Sequence, residues 1–363
     1  MERKALIDTL ELVQPALSSN KLTPILSHFW FMGGNVMAYN DHIAIRTQFK
    51  FDSDIKAAVP ETLLSLLKAS RAAKIEAELE RSKEEGEDET YALRIKAAST
   101  KFKLPVLPPE DFKTLFKMPA MEESEHLRVE HKAFLKGIED CLASVSTDSA
   151  RIDNTGITLF FEDEVLHLYA TNDVTVTEVR LPWKGKAPAF GKRAILSGDF
   201  CRQMLRVAAR GKAWEVSVNK EYALMHSGEV WLYGSLVHSD NPMNFAGIMQ
   251  QHVNEAVGKS LVQIPTKLEL MLDRAIIIEG GNPDNSTHAW VQDGRLRLTS
   301  NGLGGHVSDS TQIDERHKDT PKVRVSPKHL KQGYGRFEKI AMTERCIIMS
   351  KKGTTYLIAV RGA

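Results

Sequence analysis

The sequence is poor in the features that commit a chain to a special environment or chemistry. Its 363 residues contain three cysteines, Cys141, Cys201 and Cys346, far apart and without a Cys-x-x-Cys pair. That spacing excludes a disulfide framework or a thiolate zinc site and suits a reducing cytoplasm. Each cysteine lies in an apolar-periodic segment and is expected to be a buried thiol. No apolar run approaches the roughly 18 residues that span a bilayer. The start, Met1-Glu-Arg-Lys-Ala-Leu6, lacks the apolar stretch of a signal peptide. Neither sign of charge dominates, with 48 Lys and Arg against 47 Asp and Glu, so nucleic-acid binding would need charge segregated between faces.

Catalytic motifs are missing as well. The chain has no G-x-x-x-x-G-K-[ST], no H-E-x-x-H, no G-x-S-x-G, and no G-x-G-x-x-G after a strand. Asn301-Gly-Leu-Gly-Gly305 runs into His306 with no helical pattern behind it, and reads as a turn between strands. The carboxylate pairs Asp52/Asp54 and Glu162/Asp163 fall in expected turns, and the 12 histidines show no ligand spacing. No enzyme, cofactor or metal is indicated.

What is present is a repeat. A strand-like run ends in Val36-Met-Ala-Tyr-Asn40-Asp41, returns as Leu166-His-Leu-Tyr-Ala-Thr-Asn172-Asp173, and returns again as Leu296-Arg-Leu-Thr-Ser-Asn301-Gly302. Spacings of 132 and 129 residues between those asparagines are too long for a solenoid and fit whole domains. A first helix is expected over Leu6–Leu17, Phe134–Val145 and Lys267–Ile278, each followed by strands with turns at Gly33-Gly34, Glu162-Asp163 and Asp293-Gly294. A second helix is expected over Pro60–Lys68, Ser197–Val207 and Ser326–Lys331, with Pro60 and Pro327 in the first turn and Ser197 or Ser326 as caps. Further strands follow at Tyr91–Ile95, Trp214–Val218 and Cys346–Met349. The fold class is α+β, mostly antiparallel, with expected domains 1–120, 121–252 and 253–363. Met118–Glu125 is a polar, Pro-bearing linker, the second boundary is softer, near Gln250–Val257, and Arg81–Glu89 reads as a solvated hairpin tip.

Basic residues recur on the second helices. Arg202, Arg206 and Arg210 form one stripe at four-residue spacing, opposite Phe200 and Met204. Extending the first repeat's helix past Lys68 adds Arg71 and Lys74 on one side, and the third repeat offers Lys328, Lys331 and Arg336. A solvated face explains any one of these; three in register point to a common anionic object. Without interleaved aromatics, they suit phosphate-backbone contact and not base readout.

Colinear motifs carry a resemblance. Thr100-Lys-Phe-Lys-Leu-Pro-Val-Leu-Pro-Pro-Glu-Asp-Phe112 resembles the F-x-L-x-x-L-P-x-x-D-F end of domain one in bacterial-type β sliding clamps, the processivity subunits of DNA polymerase III. Leu22-Thr-Pro-Ile-Leu26 is similar to that family's P-I-L element, and Leu168–Asp173 stands where the family has A-T-D-G. The resemblance covers the whole chain and allows a phage-encoded member. It implies a head-to-tail homodimer, a ring of six domains with sheets outside and helices lining a hole around double-stranded DNA. The basic stripes, with Lys21, would face that DNA. Phe102 and Leu104 of one subunit would meet Ile277 and Ile278 of the other, although an intramolecular core would also explain all four. A pocket for short peptides of a replicative polymerase, clamp loader or repair proteins would involve Thr171, Asp173, Val174, Thr175, Val176, Gln250, Val360 and Arg361, whose apolar members suit leucine and phenylalanine. Three departures put that pocket's specificity or position in doubt. Asp173-Val-Thr-Val176 replaces G-H-R-L, Gln250 replaces the pocket proline, and Ile358-Ala-Val-Arg-Gly-Ala363 replaces M-P-M-R-L. The resemblance implies no cofactor, no membrane and a cytoplasmic setting, bacterial or host. Two alternatives stay open: a clamp-fold regulator that does not encircle DNA, and a DNA-processing enzyme built from repeated α+β modules.

Overall fold

The computed structural model describes residues 1–20, 22–82, 89–148, 150–210, 213–239, 243–257, 261–280, 286–302 and 304–362. Lys21 and most of the expected hairpin tip at 81–89 therefore lie outside the described residues. The first repeat comprises α1 (Arg3–Val13), β1 (His28–Met32), β2 (Asn35–Tyr39), β3 (Ile43–Gln48), β4 (Lys56–Pro60), α2 (Thr62–Ala69), β5 (Glu76–Ser82), β6 (Thr90–Ala97), β7 (Thr100–Val106) and the short α3 (Glu110–Lys113). The second comprises α4 (His131–Leu142), β8 (Gly156–Glu162), β9 (Val165–Thr171), β10 (Thr175–Pro182), β11 (Arg193–Ser197), α5 (Gly198–Ala208), β12 (Glu215–Val218), β13 (Tyr222–Ser227) and β14 (Val230–Ser235), followed by α6 (Phe245–Val257). The third comprises β15 (Val262–Gln263), α7 (Leu268–Glu279), β16 (Ser286–Gln292), β17 (Arg295–Gly302), β18 (Gly305–Gln312), β19 (Val323–Val325), α8 (Pro327–Gly333), β20 (Lys339–Met342), β21 (Cys346–Lys351), β22 (Thr354–Ala359) and β23 (Arg361–Gly362).

The repeated sequence encodes repeated turns. Asp163 and Glu164 both take positive φ between β8 and β9, and Asp293 and Gly294 do so between β16 and β17. Such two-residue turns match the twist of paired strands. Gly33 and Gly34 occupy the same place in the first repeat, also at positive φ. The Asn-Asp pairs are Asx turns: Asn40 Oδ1 accepts from the Ile43 amide at 2.8 Å, and Asn172 Oδ1 from the Thr175 amide at 2.8 Å. Asp41 and Asp173 then take positive φ. The third repeat departs, because β17 and β18 stay paired past Asn301 as far as Gly302 and Gly305.

The second helices start differently from expectation in the first repeat. Pro60 ends β4, paired with His28, and α2 begins two residues later. A proline serves at a strand end as readily as in a helix's first turn. In the third repeat, Ser326 caps α8 through the His329 amide with Pro327 at the first helical position, as its sequence indicates.

The chain forms two compact units. The first holds Met1–Leu127, Pro188–Phe190 and Asp199–Leu236; the second holds Arg128–Ala187, Gly191–Gly198 and Val237–Ala363. All strand pairs are antiparallel. In the first unit a seven-stranded sheet, β12-β13-β14-β3-β2-β1-β4, joins strands of the first and second repeats, beside the three-stranded β5-β6-β7. In the second, an eight-stranded sheet, β11-β8-β9-β10-β22-β21-β20-β15, joins strands of the second and third repeats, beside the five-stranded β18-β17-β16-β19-β23. Strand edges of successive repeats are thereby shared.

Apolar faces of the helices seal these sheets. Leu6, Leu10 and Val13 of α1 and Leu63 and Leu67 of α2 are fully buried in the first unit. Met271, Leu272 and Ala275 of α7 are buried with Leu298, Ile347 and Tyr356 in the second. All three cysteines are buried and outside any disulfide, as expected. No helix among the described residues is long and apolar enough to cross a membrane.

Candidate functional site

The basic helix residues fall into three groups. Some are neutralised by carboxylates. Lys68 on α2 pairs with Glu11 of α1 at 2.8 Å, a bond that holds the Glu11 carboxyl below its ordinary pKa. Arg202 on α5 pairs with Asp199 at 2.6 Å. Lys331 on α8 reaches Asp273 at 2.7 Å and Glu269 at 3.3 Å on α7, and the Asp273 hydrogen bond raises its pKa. One residue is committed to the fold. Arg206 turns toward α1 and donates to the carbonyls of Glu11 (3.3 Å) and Leu12, capping the last turn of that helix. Burial lowers its pKa.

The third group is exposed. Arg71, Arg210, Lys328 and Arg336 make no ion pair among the described residues. The expected continuation of α2 through Arg71 and Lys74 does not form: the helix ends at Ala69, and Lys74 bridges to Glu2, 3.8 Å from its carboxylate. Two factors stop it, the extended backbone of Ser70 and the return of the chain to pair with the N-terminal segment.

Five of the eight expected pocket residues, Thr171, Asp173, Val174, Thr175 and Val176, lie on the β9–β10 hairpin. Thr171 Oγ1 donates to the Thr175 carbonyl at 2.8 Å, and the Thr175 hydroxyl donates to Ser144 at 2.9 Å. Both threonines are buried, so they shape the tip and offer no surface. Asp173 stands outside, tied to Arg151 at 2.6 Å and to Asn154 at 3.0 Å. Val174 is 40% exposed, and its carbonyl accepts from the Ala359 amide at 2.8 Å. Val176 is buried in a cluster with Phe245 and Met249 of α6 and with Ile348 and Leu357. Gln250 lies on the exposed side of α6. Val360 is half-buried, bonded through its amide to the Arg345 carbonyl, and Arg345 reaches Glu255 of α6 at 3.7 Å. Arg361 pairs through its backbone with Arg324 in the β19–β23 ladder.

A buried polar group supports the hairpin from below, and the sequence reading missed it. Glu178, 1% exposed, accepts from Tyr169 at 2.9 Å, His167 at 3.0 Å and Arg180 at 3.0 Å. Burial alone would push this carboxyl up, but the three donors outweigh it and hold it below its ordinary value. Alternation in Val165–Thr171 and Thr175–Pro182 would have placed His167, Tyr169 and Glu178 on one face.

The comparisons decide the fold. No family model matches the sequence. Over 364 residues the chain is 21% identical to the beta sliding clamp homolog GriR of Streptomyces muensis, covering 97% of this chain and 93% of that protein. The DNA polymerase sliding clamp from Bacillus subtilis matches 100% of this chain and 98% of its own, with a TM-score of 0.82 at 16% identity. The C. crescentus beta sliding clamp matches with a TM-score of 0.80, again at 16% identity, over 100% and 98% of the two chains. The DNA polymerase III beta subunit from Thermotoga maritima matches with a TM-score of 0.78 at 15% identity, over 100% and 98%. This chain has the β sliding clamp fold.

Two of the edge strands among the described residues are β7 and β18. β7 is bonded in its sheet to β6 alone, and β18 to β17 alone. Phe102 and Leu104 lie on β7, half-buried on one face, while Lys101 and Lys103 are exposed on the other. In the other unit, Ile277 on α7 is 74% exposed and Leu270 56%, with Ile278 half-buried. Apolar residues on the solvent side of α7 are unusual for a helix whose opposite side already fills a core.

Proposed function

We propose that this protein is a non-enzymatic DNA sliding clamp, a homodimeric ring that encircles duplex DNA and tethers a replicative polymerase. One observation carries the reading, the bookkeeping of strand edges. β3, third strand of the first repeat's leading half, pairs with β14, third strand of the second repeat's trailing half. β10 pairs with β22 in the same way, one repeat later. The same rule assigns β18 a partner equivalent to β7, and within one copy both edges are open. Two copies joined head to tail would pair β7 of one with β18 of the other at each seam, with Phe102 and Leu104 meeting Ile277 and Ile278. The division into 1–120, 121–252 and 253–363 belongs to this proposal, with α6 as the connector. The C. crescentus and B. subtilis sliding clamps support it through fold alone.

In such a ring the helices face the DNA, and Lys21, Lys68, Arg71, Lys74, Arg202, Arg210, Lys328 and Lys331 would be the cations nearest to it. Partners would dock a short peptide at the hairpin tip, against Val174, Gln250 and Val360. Loading would fall to an ATP-driven partner, and the clamp itself needs no cofactor. The cytoplasm is the proposed location. The test is the solution mass by light scattering at micromolar concentration. About twice 40.6 kDa supports the ring. A monomeric mass removes encirclement and leaves a clamp-fold regulator, a reading favoured by the ion-paired state of Lys68, Arg202 and Lys331. The double change Ile277→Asp, Ile278→Asp should yield monomers, because burying unpaired carboxylates costs several kcal/mol.

A further inference from the structure

Strand register builds a second polar feature on the face of the eight-stranded sheet that α6 covers. Arg193, Phe160 and His167 form one row across β11, β8 and β9, and Ile195, Thr158 and Tyr169 form another row on the same face. Against them lies the first turn of α6. Between the two is a cavity of about 60 Å³, walled by Thr158, Phe160, Tyr169, Arg193, Met243 and Phe245. That volume admits a few waters or the end of one side chain.

Two side chains of this wall, Arg193 and Thr158, carry unmatched polar atoms. Arg193 Nε and Nη2 and Thr158 Oγ1 are shielded from solvent and have no hydrogen-bond partner. Thr158 is 2% exposed. Asp153, the carboxylate that acts electrostatically on Arg193, receives the Ser239 hydroxyl at 2.7 Å and is not bonded to the guanidinium. Burial lowers the Arg193 pKa, yet an arginine stays charged at any physiological pH. Native folds leave few buried donors empty, and a charged donor is the most costly to leave so.

The geometry of those donors selects the acceptor. Nε–H and one Nη2–H form one edge of the guanidinium, a fork that matches the two oxygens of a carboxylate. The Thr158 hydroxyl can donate to the same group. The 13-residue α6 adds the positive end of its dipole, its first turn lining the cavity through Asn244, Phe245 and Ala246. Phe160, Tyr169 and Phe245 supply apolar walls for a methylene stem. We propose that the cavity binds the side-chain carboxylate of an acidic residue in an extended partner segment, held by the Arg193 fork. Thr158 and Tyr169 face each other across β8 and β9, and Tyr169 lies two residues from Thr171. One extended peptide can therefore reach both this cavity and the hairpin tip. The proposal deepens the peptide-docking reading and rests on it for the nature of the partner; carboxylate binding itself does not depend on ring closure.

The test is an NMR titration of the full chain, following the Arg193 Nε–H resonance and, for the variants, the backbone amides of Thr158 and Tyr169, with N-acetyl-aspartate methylamide, its asparagine counterpart and inorganic phosphate at matched ionic strength. The aspartate compound should shift Arg193 and the asparagine compound should not. Arg193→Gln should weaken binding about tenfold or more, since hydrogen bonds to charged groups are the strong ones. Arg193→Lys keeps the charge without the fork and should also bind more weakly. Loss of binding in Arg193→Gln with unchanged thermal unfolding separates recognition from misfolding. Equal response to the asparagine compound, or a response to phosphate alone, would overturn the proposal. Light scattering on the same sample tests the ring independently, so a monomer that still binds aspartate would sink the clamp reading and spare this one.

Discussion

Ile277→Ala tests the proposed seam with a magnitude that the structure supplies. The substitution removes three carbons, each worth about 0.8 kcal/mol when buried. Ile277 is 74% exposed in the single chain, so most of that burial is still to be gained on association. Scaling one by the other gives about 2 kcal/mol per copy. A closed ring has two seams, each holding one Ile277, so the dimer loses about 4 kcal/mol, close to a thousandfold in its dissociation constant.

Sedimentation equilibrium from nanomolar to micromolar concentration measures that constant directly. The single chain should be indifferent to the change, because Ile277 packs against little within it. Thermal unfolding of variant and parent should therefore match at a concentration below the parent's dissociation constant, where both are monomers. A dissociation constant within about threefold of the parent's would refute the seam, since 1.4 kcal/mol already makes a factor of ten. A variant that instead unfolds at lower temperature as a monomer would mean that α7's exposed side is part of the chain's own core.

Three further outcomes follow from contacts within the units. Glu178→Gln should destabilise the second unit by about 2 kcal/mol at pH 7, less than a fully buried pair because Arg180 is well exposed. Because the folded pKa of Glu178 is depressed, its contribution is present above the ordinary value of 4.5 and fades as pH falls through the folded value. Parent and variant should thus converge in urea midpoint toward low pH; a gap that widens there would contradict the assignment. Arg206→Met should cost about 1–2 kcal/mol in urea unfolding by stripping two donors from the end of α1. Unchanged stability would return Arg206 to the set of free cations. Gly234→Ala would place a Cβ 2.3 Å from the Phe200 ring, and should lower the urea midpoint by the equivalent of about 1–3 kcal/mol.

Much of each repeat was legible because its signals are local. The Asn-Asp and Asp-Gly turns, the helix periodicity around Leu6, Phe134 and Leu268, and the Ser326 cap all act over a few residues. What stayed hidden acts over distance. Nothing near Arg206 in sequence points to the carbonyls of Glu11 and Leu12, almost two hundred residues away. The pairing of Lys331 with Asp273 likewise follows from α7 and α8 lying side by side and not from either helix's own pattern. The resemblance named both Gln250 and Val176 as pocket residues. That α6 covers Val176 with Phe245 and Met249 while Gln250 points away required the helix's register on the sheet. The unmatched Arg193 edge was invisible for the same reason.

The pairing of the basic residues bears on how such a ring would hold DNA. Among the named cations with described side chains, Lys68, Lys74, Arg202 and Lys331 are in ion pairs and Arg206 is a helix cap. Arg71, Arg210, Lys328 and Arg336 stand exposed without one, and α7 adds three carboxylates, Glu269, Asp273 and Glu279, against Arg274. Phosphate contacts release counterions in proportion to the cations engaged, with a log–log salt slope of about −0.9 per phosphate on duplex DNA. With Lys21 these four exposed residues make five cations on each of two copies, a ceiling near ten contacts, so the slope for binding linear DNA should not be steeper than about −9. A sliding ring is served by such weakness, since encirclement keeps it on the duplex while few contacts impede movement. A steeper slope would mean that the ion pairs open on DNA and the paired cations engage phosphate after all. A slope near zero, with retention only on circular DNA, would mean that topology alone holds the protein in place.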